Sequence, residues 1–105
     1  MKKQISIFYT LCSTREEAKN LAITLLENNL AVCINFINNI ESFYLEEKKV
    51  IESKEVGIFI KTTVSSLRIM NFLEEHHPYK IPFITKLETK NTNEKYLAWI
   101  EKKKI

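Results

Sequence analysis

Aspartate is absent from this 105-residue chain, and glycine occurs once, as Gly57. Loops that cradle phosphate need several glycines so that the backbone can approach the ligand. Calcium loops, kinase catalytic loops and aspartyl nucleophiles all need Asp. These classes are therefore excluded. Arginine is limited to Arg15 and Arg68, whereas a nucleic-acid binder carries a basic stripe with arginines placed for phosphates and bases. The net charge of +3 is matched by Lys102, Lys103 and Lys104 alone, so the body of the chain is neutral and no nucleic-acid partner is expected. Cys12 and Cys33 are the only cysteines, too few for the disulfide framework of a small secreted protein, and a reducing, cytoplasmic setting is expected. No run approaches the ~20 apolar residues that cross a bilayer. Lys2 and Lys3 before Ile5 to Leu11 imitate a signal peptide, but the apolar part is short, is interrupted by Ser6 and Thr10, and lacks small residues for cleavage.

What is present is a chain 45% hydrophobic and 28% charged, the balance of one small globular domain spanning residues 1–105. Residues 4–12 alternate as a strand, with Ile5, Ile7, Tyr9 and Leu11 on one face and Phe8 on the other. Ser13 or Thr14, followed three residues later by Glu16 or Glu17, reads as a capping box opening a helix. The apolar positions Ala18, Leu21, Ala22, Leu25, Leu26 and Leu30 give that helix one buried stripe. Val32, Ile34 and Phe36 alternate again, and the extended pattern continues to Tyr44. Glu46 to Lys49 reads as a hairpin tip, with Val50 to Thr62 as the returning strand. A second helix is expected over about Ser65 to Glu75, with Leu67, Ile69, Met70, Phe72 and Leu73 inside, ending before Pro78. Ile81 to Leu87 reads as a fourth strand and Thr92 to Lys103 as a terminal helix. The order is the split βαβ of an α+β, ferredoxin-like fold with an extra C-terminal helix. Its helices cover one sheet face, yet Phe8, Ile37, Ile40, Phe43 and Phe59 add apolar surface beyond one alternating set. The other face therefore needs a partner, and an oligomer is expected.

Three residues have ligand chemistry: Cys12 at the end of the first strand, and His76 and His77 before Pro78. The topology brings both ends to one edge of the sheet. A thiolate with imidazoles suits copper or zinc rather than calcium or magnesium. Adjacent residues in a helix diverge by about 100°, so shared ligation requires Pro78 to release His77 from the helix. The structural alternative is a buried thiol and two helix-end histidines that meet the dipole and the free carbonyls. Cys33 is expected at the opposite edge from Cys12, about eight strand residues or ~25 Å away, so no disulfide between them is expected. A catalytic thiol beside a histidine would need an oxyanion hole and an orienting group, and neither is evident, so no enzyme is expected. Lys61, Thr62 and Thr63 precede the second helix and are candidates for an anion site, with a solvated strand end and a cap as the plainer reading.

The segment His76-His77-Pro78-Tyr79-Lys80-Ile81-Pro82 resembles the His-Pro-Tyr-x-x-Pro signature of the CutA divalent-ion tolerance family. Leu30-Ala31-Val32-Cys33-Ile34-Asn35, Ser42-Phe43-Tyr44, Glu55-Val56, Lys61-Thr62-Thr63 and Tyr96-Leu97-Ala98-Trp99 resemble further family strings in the right order. The resemblance covers about residues 5–100. It implies a ferredoxin-like homotrimer with sheets facing inward and long hairpins reaching between subunits. It also implies a role in tolerance of divalent metals, with copper at positions matching Cys12, His76 and His77. The same architecture is similar to PII-type signalling trimers, which hold small ligands between subunits. Two departures stand out: Phe83 replaces a carboxylate usual after the second proline, and Tyr44 is followed by Leu45-Glu46-Glu47-Lys48 in place of a tryptophan and a glycine turn.

Overall fold

A computed structural model describes residues 4–103; Lys2, Lys3 and Lys104, invoked above for the charged ends, lie outside the described residues. The elements are β1 (Ser6–Cys12), α1 (Arg15–Glu27), β2 (Cys33–Glu46), β3 (Lys49–Thr62), α2 (Ser66–His76), β4 (Ile84–Leu87) and α3 (Glu94–Glu101). The four strands form one sheet in the order β2-β3-β1-β4 with every pairing antiparallel. β1-α1-β2 and β3-α2-β4 are thus interleaved βαβ units, the ferredoxin-like arrangement.

Local chemistry sets the ends of α1. Thr14 Oγ1 accepts from the Glu17 backbone N–H at 3.1 Å, and the Glu17 carboxylate accepts in return from the Thr14 N–H at 3.3 Å. This reciprocal box satisfies two donors that the helix itself cannot. At the other end Asn29 takes a φ of 57°, its N–H bonds to the Leu26 carbonyl, and the Leu30 N–H bonds to the Leu25 carbonyl. That is a Schellman closure with asparagine at the left-handed position, there being no glycine to fill it. The helix therefore stops at Glu27, and Leu30 enters the core from the closing turn rather than from the helical stripe.

The core lies between the helices and one face of the sheet. Phe8, Thr10 and Cys12 of β1 and Val56, Ile58, Ile60 and Thr62 of β3 are buried there with Ala18, Leu21, Leu25, Ile69 and Leu73. The buried face of β1 is therefore the one carrying Phe8, and Ile7, Tyr9 and Leu11 occupy the open face. On that open face Tyr9 packs against Phe59 with ring centroids 4.9 Å apart. Hydrophobicity alone does not assign these faces, because both are apolar. Leu67, expected inside, is 73% exposed: it lies two residues from Ile69, about 200° around the helix, while Ile69 and Leu73 form the inward i, i+4 pair. β4 is shorter than expected, since Pro82 cannot donate to a ladder and pairing begins only at Ile84. α3 is likewise confined to Glu94–Glu101, and its Ile100 is buried while Trp99 is half exposed.

β2 and β3 continue well past the rest of the sheet. A bulge between Ile37 and Ile40 interrupts their register, with Asn39 at φ 60°. Beyond it a paired arm carries Phe43 at 63% exposure and Leu45 at 73%. The arm accounts for the dimensions of 50 × 26 × 23 Å and for a radius of gyration of 15.0 Å, against about 13 Å for a compact chain of this length. At its tip Glu47 and Lys48 both have positive φ, 47° and 67°, the backbone that two-residue hairpin turns require and that Asn-Gly supplies without strain. Non-glycine residues in this region cost roughly 1–2 kcal/mol each. The double substitution Glu47→Asn/Lys48→Gly is expected to stabilise the chain by about 1–2 kcal/mol, read as a higher urea midpoint at unchanged slope; a lower midpoint would show that the tip is not strained.

Candidate functional site

β1 ends where the connection from α2 to β4 folds against it. Pro78 disfavours helical geometry at the preceding residue, so His77 caps α2 with ψ at 138°. Its imidazole leaves the helix and turns beneath the sheet edge, where it is buried. Nδ1 accepts from the Tyr79 backbone N–H at 3.0 Å. That acceptance fixes the proton of the neutral ring on Nε2, which donates to Thr10 Oγ1 at 2.9 Å. The Thr10 hydroxyl in turn donates to the Phe83 carbonyl at 2.8 Å. Every polar group in this buried chain is thereby satisfied.

Burial pushes the His77 pKa below its ordinary value of 6.5; a hydrogen bond to the Leu11 backbone and the Glu17 charge oppose the shift without reversing it. Tyr79 extends a second chain outward. Its hydroxyl accepts from Ser13 Oγ at 3.1 Å and donates to Glu55 Oε2 at 2.7 Å. Burial raises the phenol to about 12; the Glu55 bond and the Glu55 and Cys12 charges add to this, while the Ser13 bond opposes it. Thr10, Tyr79 and Glu55 thus organise this region although sequence reasoning gave them no role. The signal available was that His77-Pro78-Tyr79 forms a turn carrying polar side chains at an apolar edge.

The three predicted ligands have separate surroundings. Cys12 is fully buried among apolar residues, and burial, with the Glu17 and Glu55 charges, pushes its thiol up to about 12. It is a neutral thiol near neutral pH. His77 is close by in the chain fold, two strand residues away at Thr10, but both its ring nitrogens are engaged. His76 lies on the last turn of α2, exposed, with its ring stacked on Phe72 at 4.0 Å. Its Nδ1 lies 2.9 Å from the Phe72 carbonyl, an acceptor only, so Nδ1 carries the proton and the neutral ring presents its lone pair on Nε2. His76 lines a depression of about 190 Å³ with Glu17, Asn20 and Thr24. No cluster of three or more His, Cys, Asp or Glu side chains stands at metal-holding distances among the described residues. The sheet edge unites the elements as expected, but not the three side chains into a preformed chelate.

The other candidates are structural. Thr62 is buried, donating to the Leu30 carbonyl at 2.7 Å and accepting from the Val64 N–H at 3.0 Å. Lys61 Nζ lies 5.6 Å from the centre of the Tyr96 ring. Cys33 pairs in register with Lys61, five residues along β3 from Val56, the partner of Cys12, and both thiols are free.

An antiparallel sheet with split βαβ connections, one helix-covered face, a projecting hairpin and a histidine-anchored loop at the end of β1 defines a ferredoxin-like α+β subunit. The sequence family described as CutA1 divalent ion tolerance protein matches residues 6–103, and the chain belongs to that family. The divalent-cation tolerance protein CutA of Thermococcus kodakarensis is 36% identical over 95 residues, 90% of each chain. The crystal structure of divalent ion tolerance protein CutA1 from Ehrlichia chaffeensis superposes with a TM-score of 0.88 at 35% identity, over 94% of each chain. CutA1 from Oryza sativa gives 0.87 at 31% identity, over 95% of this chain and 93% of that one. No helix among the described residues is long and apolar enough to cross a membrane.

A histidine whose folded pKa is depressed is held neutral by folding, whereas the unfolded ring takes up a proton near its ordinary value. The unfolded state therefore binds more protons below about pH 6.5, and stability is lost on acidification through that point until the depressed folded pKa is reached. In metal-free buffer the stability difference between the native chain and a His77→Gln variant is expected to shrink from pH 7.5 to pH 5.5. Urea unfolding at the two pH values reads it; a constant difference would show that the ring is not held neutral.

Proposed function

We propose that the chain acts in divalent-cation tolerance as a non-enzymatic, cytoplasmic homotrimer that takes up a copper or zinc ion at His76. The observation that carries this reading is the His76 tautomer. A carbonyl holding Nδ1–H is the outer-shell arrangement that orients a metal-ligating imidazole and leaves Nε2 as the donor. Glu17 shares the depression; one carboxylate oxygen serves the α1 cap, and the other adds an oxygen donor suited to zinc or copper(II). His77 and Cys12 join the ion only if His77 gives up its bonds to Thr10 and Tyr79 and the thiol loses its proton. They form a reserve behind the exposed ligand.

Membership of the tolerance family over almost the whole chain supports the metal role. The apolar open face of the sheet and the exposed Phe43 and Leu45 of the arm support assembly. The absence of Asp and the protonated state of Cys12 support a binding rather than a catalytic role.

Two measurements test the proposal. Light scattering of the reduced chain is expected to return three times the 12.4 kDa of one subunit, and a monomer at micromolar concentration would overturn the trimer. Competition titration with copper(I), copper(II) and zinc(II) against a coloured chelator is expected to show binding that His76→Ala weakens at least about ten-fold, with Cys12→Ser close to native. Equal affinity in native and His76→Ala chains would overturn the site, and loss confined to Cys12→Ser and His77→Gln would move it inward.

A further inference from the structure

One stripe of α1 lines the depression that holds His76. Glu17, Asn20 and Thr24 follow the i, i+3, i+7 spacing of a single helix face. With Leu21, His76 and Pro78 they enclose a space of about 190 Å³ on the helical side of the subunit. Their polar atoms are unevenly committed. Glu17 uses Oε1 for the Ser13 and Thr14 N–H groups, at 3.1 and 3.3 Å, and keeps Oε2. Thr24 turns its hydroxyl back to the Asn20 backbone carbonyl at 2.8 Å. The Asn20 carboxamide has no protein partner among the described residues, so its Oδ1 is a second oxygen donor beside the His76 ring.

What the depression lacks decides its chemistry. Neither Cys12 nor His77 lines it. Cys12 is fully buried among apolar side chains, and both His77 ring nitrogens are held, one by the Tyr79 N–H and one by Thr10. An ion at His76 therefore meets one imidazole nitrogen and oxygens, with no sulfur and no second imidazole. Zinc(II) and copper(II) accept that mixture, whereas copper(I) is selected by soft thiolate and thioether donors.

We propose that this depression accepts divalent ions only, with Asn20 Oδ1 as the third donor beside His76 Nε2 and Glu17 Oε2, and that it keeps zinc but releases copper when the copper is reduced. This rests on His76 as the exposed ligand and adds the oxidation state that the ligand set accepts. The release is a one-electron step at the ion: copper(II) gains an electron, and its coordinate bonds to the imidazole, carboxylate and carboxamide break. With ascorbate as reductant, two copper(II) ions become two copper(I) ions while one ascorbate anion becomes dehydroascorbate and a proton. Under reducing conditions the cargo is thus a divalent ion without an accessible lower state, and zinc(II) fits that description.

The test uses the full chain carrying Cys33→Ser, so that the half-buried thiol does not itself reduce copper(II). One equivalent of copper(II) or zinc(II) is loaded, and the metal retained by the protein is measured after spin filtration, before and after anaerobic ascorbate in dilute acetonitrile. Copper(II) is expected to stay, with an EPR spectrum split by one nitrogen, and ascorbate is expected to lower retained copper at least about ten-fold while zinc is unmoved. Asn20→Asp adds charge to a donor and is expected to tighten copper(II) and zinc(II) by about ten-fold without retaining copper(I), and Asn20→Leu is expected to weaken both. Copper kept after reduction would overturn the proposal, and loss of that retention on Cys12→Ser would show that the thiol takes the reduced ion. Asn20 variants that bind both metals as the parent chain does would overturn it as well. These two failures leave His76 as a ligand so long as His76→Ala weakens copper(II) and removes the nitrogen splitting. Copper(II) binding unchanged in His76→Ala would instead overturn the His76 site, and this proposal with it.

Discussion

The hydrogen bond from His77 to Thr10 is the contact on which the arrangement at the end of β1 depends. It crosses from the end of α2 to the middle of β1 and is buried, so leaving either partner unpaired costs about 1–3 kcal/mol. Three other features follow from it. The loop from Pro78 to Phe83 is held against the end of β1, because Thr10 also bonds to the Phe83 carbonyl. Tyr79 is delivered to Glu55 across the β3 edge. And His76, one residue earlier, is left on the last helical turn facing outward, since the chain departs from helical geometry only at His77.

The second constraint is that the sheet has two apolar faces and helices for only one. Phe8, Ile58 and Ile60 meet the helices, while Tyr9, Phe59 and Ile37 line the other side. Gly57 belongs to this second surface. A Cβ there would fall 2.5 Å from Ile40 Cδ1, so the chain's one glycine makes room for Ile40 to lie across β3 just past the bulge. The bulge therefore has a packing reason as well as a geometric one: it lets β2 resume pairing with Ile40 over the glycine, and the arm that follows carries its apolar residues beyond the body of the subunit.

The fold was legible because its local signals agree with one another. The capping box, Pro78 after α2 and the charged hairpin tip each mark a boundary that the structure keeps within a residue or two, whereas the α1 stripe, read to Leu30, overruns a helix that ends at Glu27. What was illegible arose where one pattern served two surroundings. Alternation in β1 identifies a strand, but with Phe8 and Tyr9 on opposite faces it does not say which face the helices take. Leu67 is as hydrophobic as Leu73, and only its angular position removes it from the core. The site was legible as an edge and not as a constellation: topology brings Cys12 and the histidine pair to one end of the sheet, but the side-chain partners Thr10, Tyr79 and Glu55 come from distant segments and ordinary residue types.

The two adjacent histidines show why spacing alone could not assign their chemistry. Both are imidazoles of the same chain segment, and their difference lies in what faces Nδ1. A carbonyl acceptor opposite His76 requires a proton there and sends the Nε2 lone pair outward, whereas an N–H donor opposite His77 requires a lone pair there and sends the Nε2 proton inward to Thr10. A metal ion needs the first arrangement and is refused by the second. The backbone at Pro78 makes that division, because the residue before proline leaves the helix and exchanges a helical carbonyl for the Tyr79 N–H. One histidine is thereby committed to anchoring the loop and the other is offered to solvent, so the same turn that builds the edge also gives its two rings opposite surroundings.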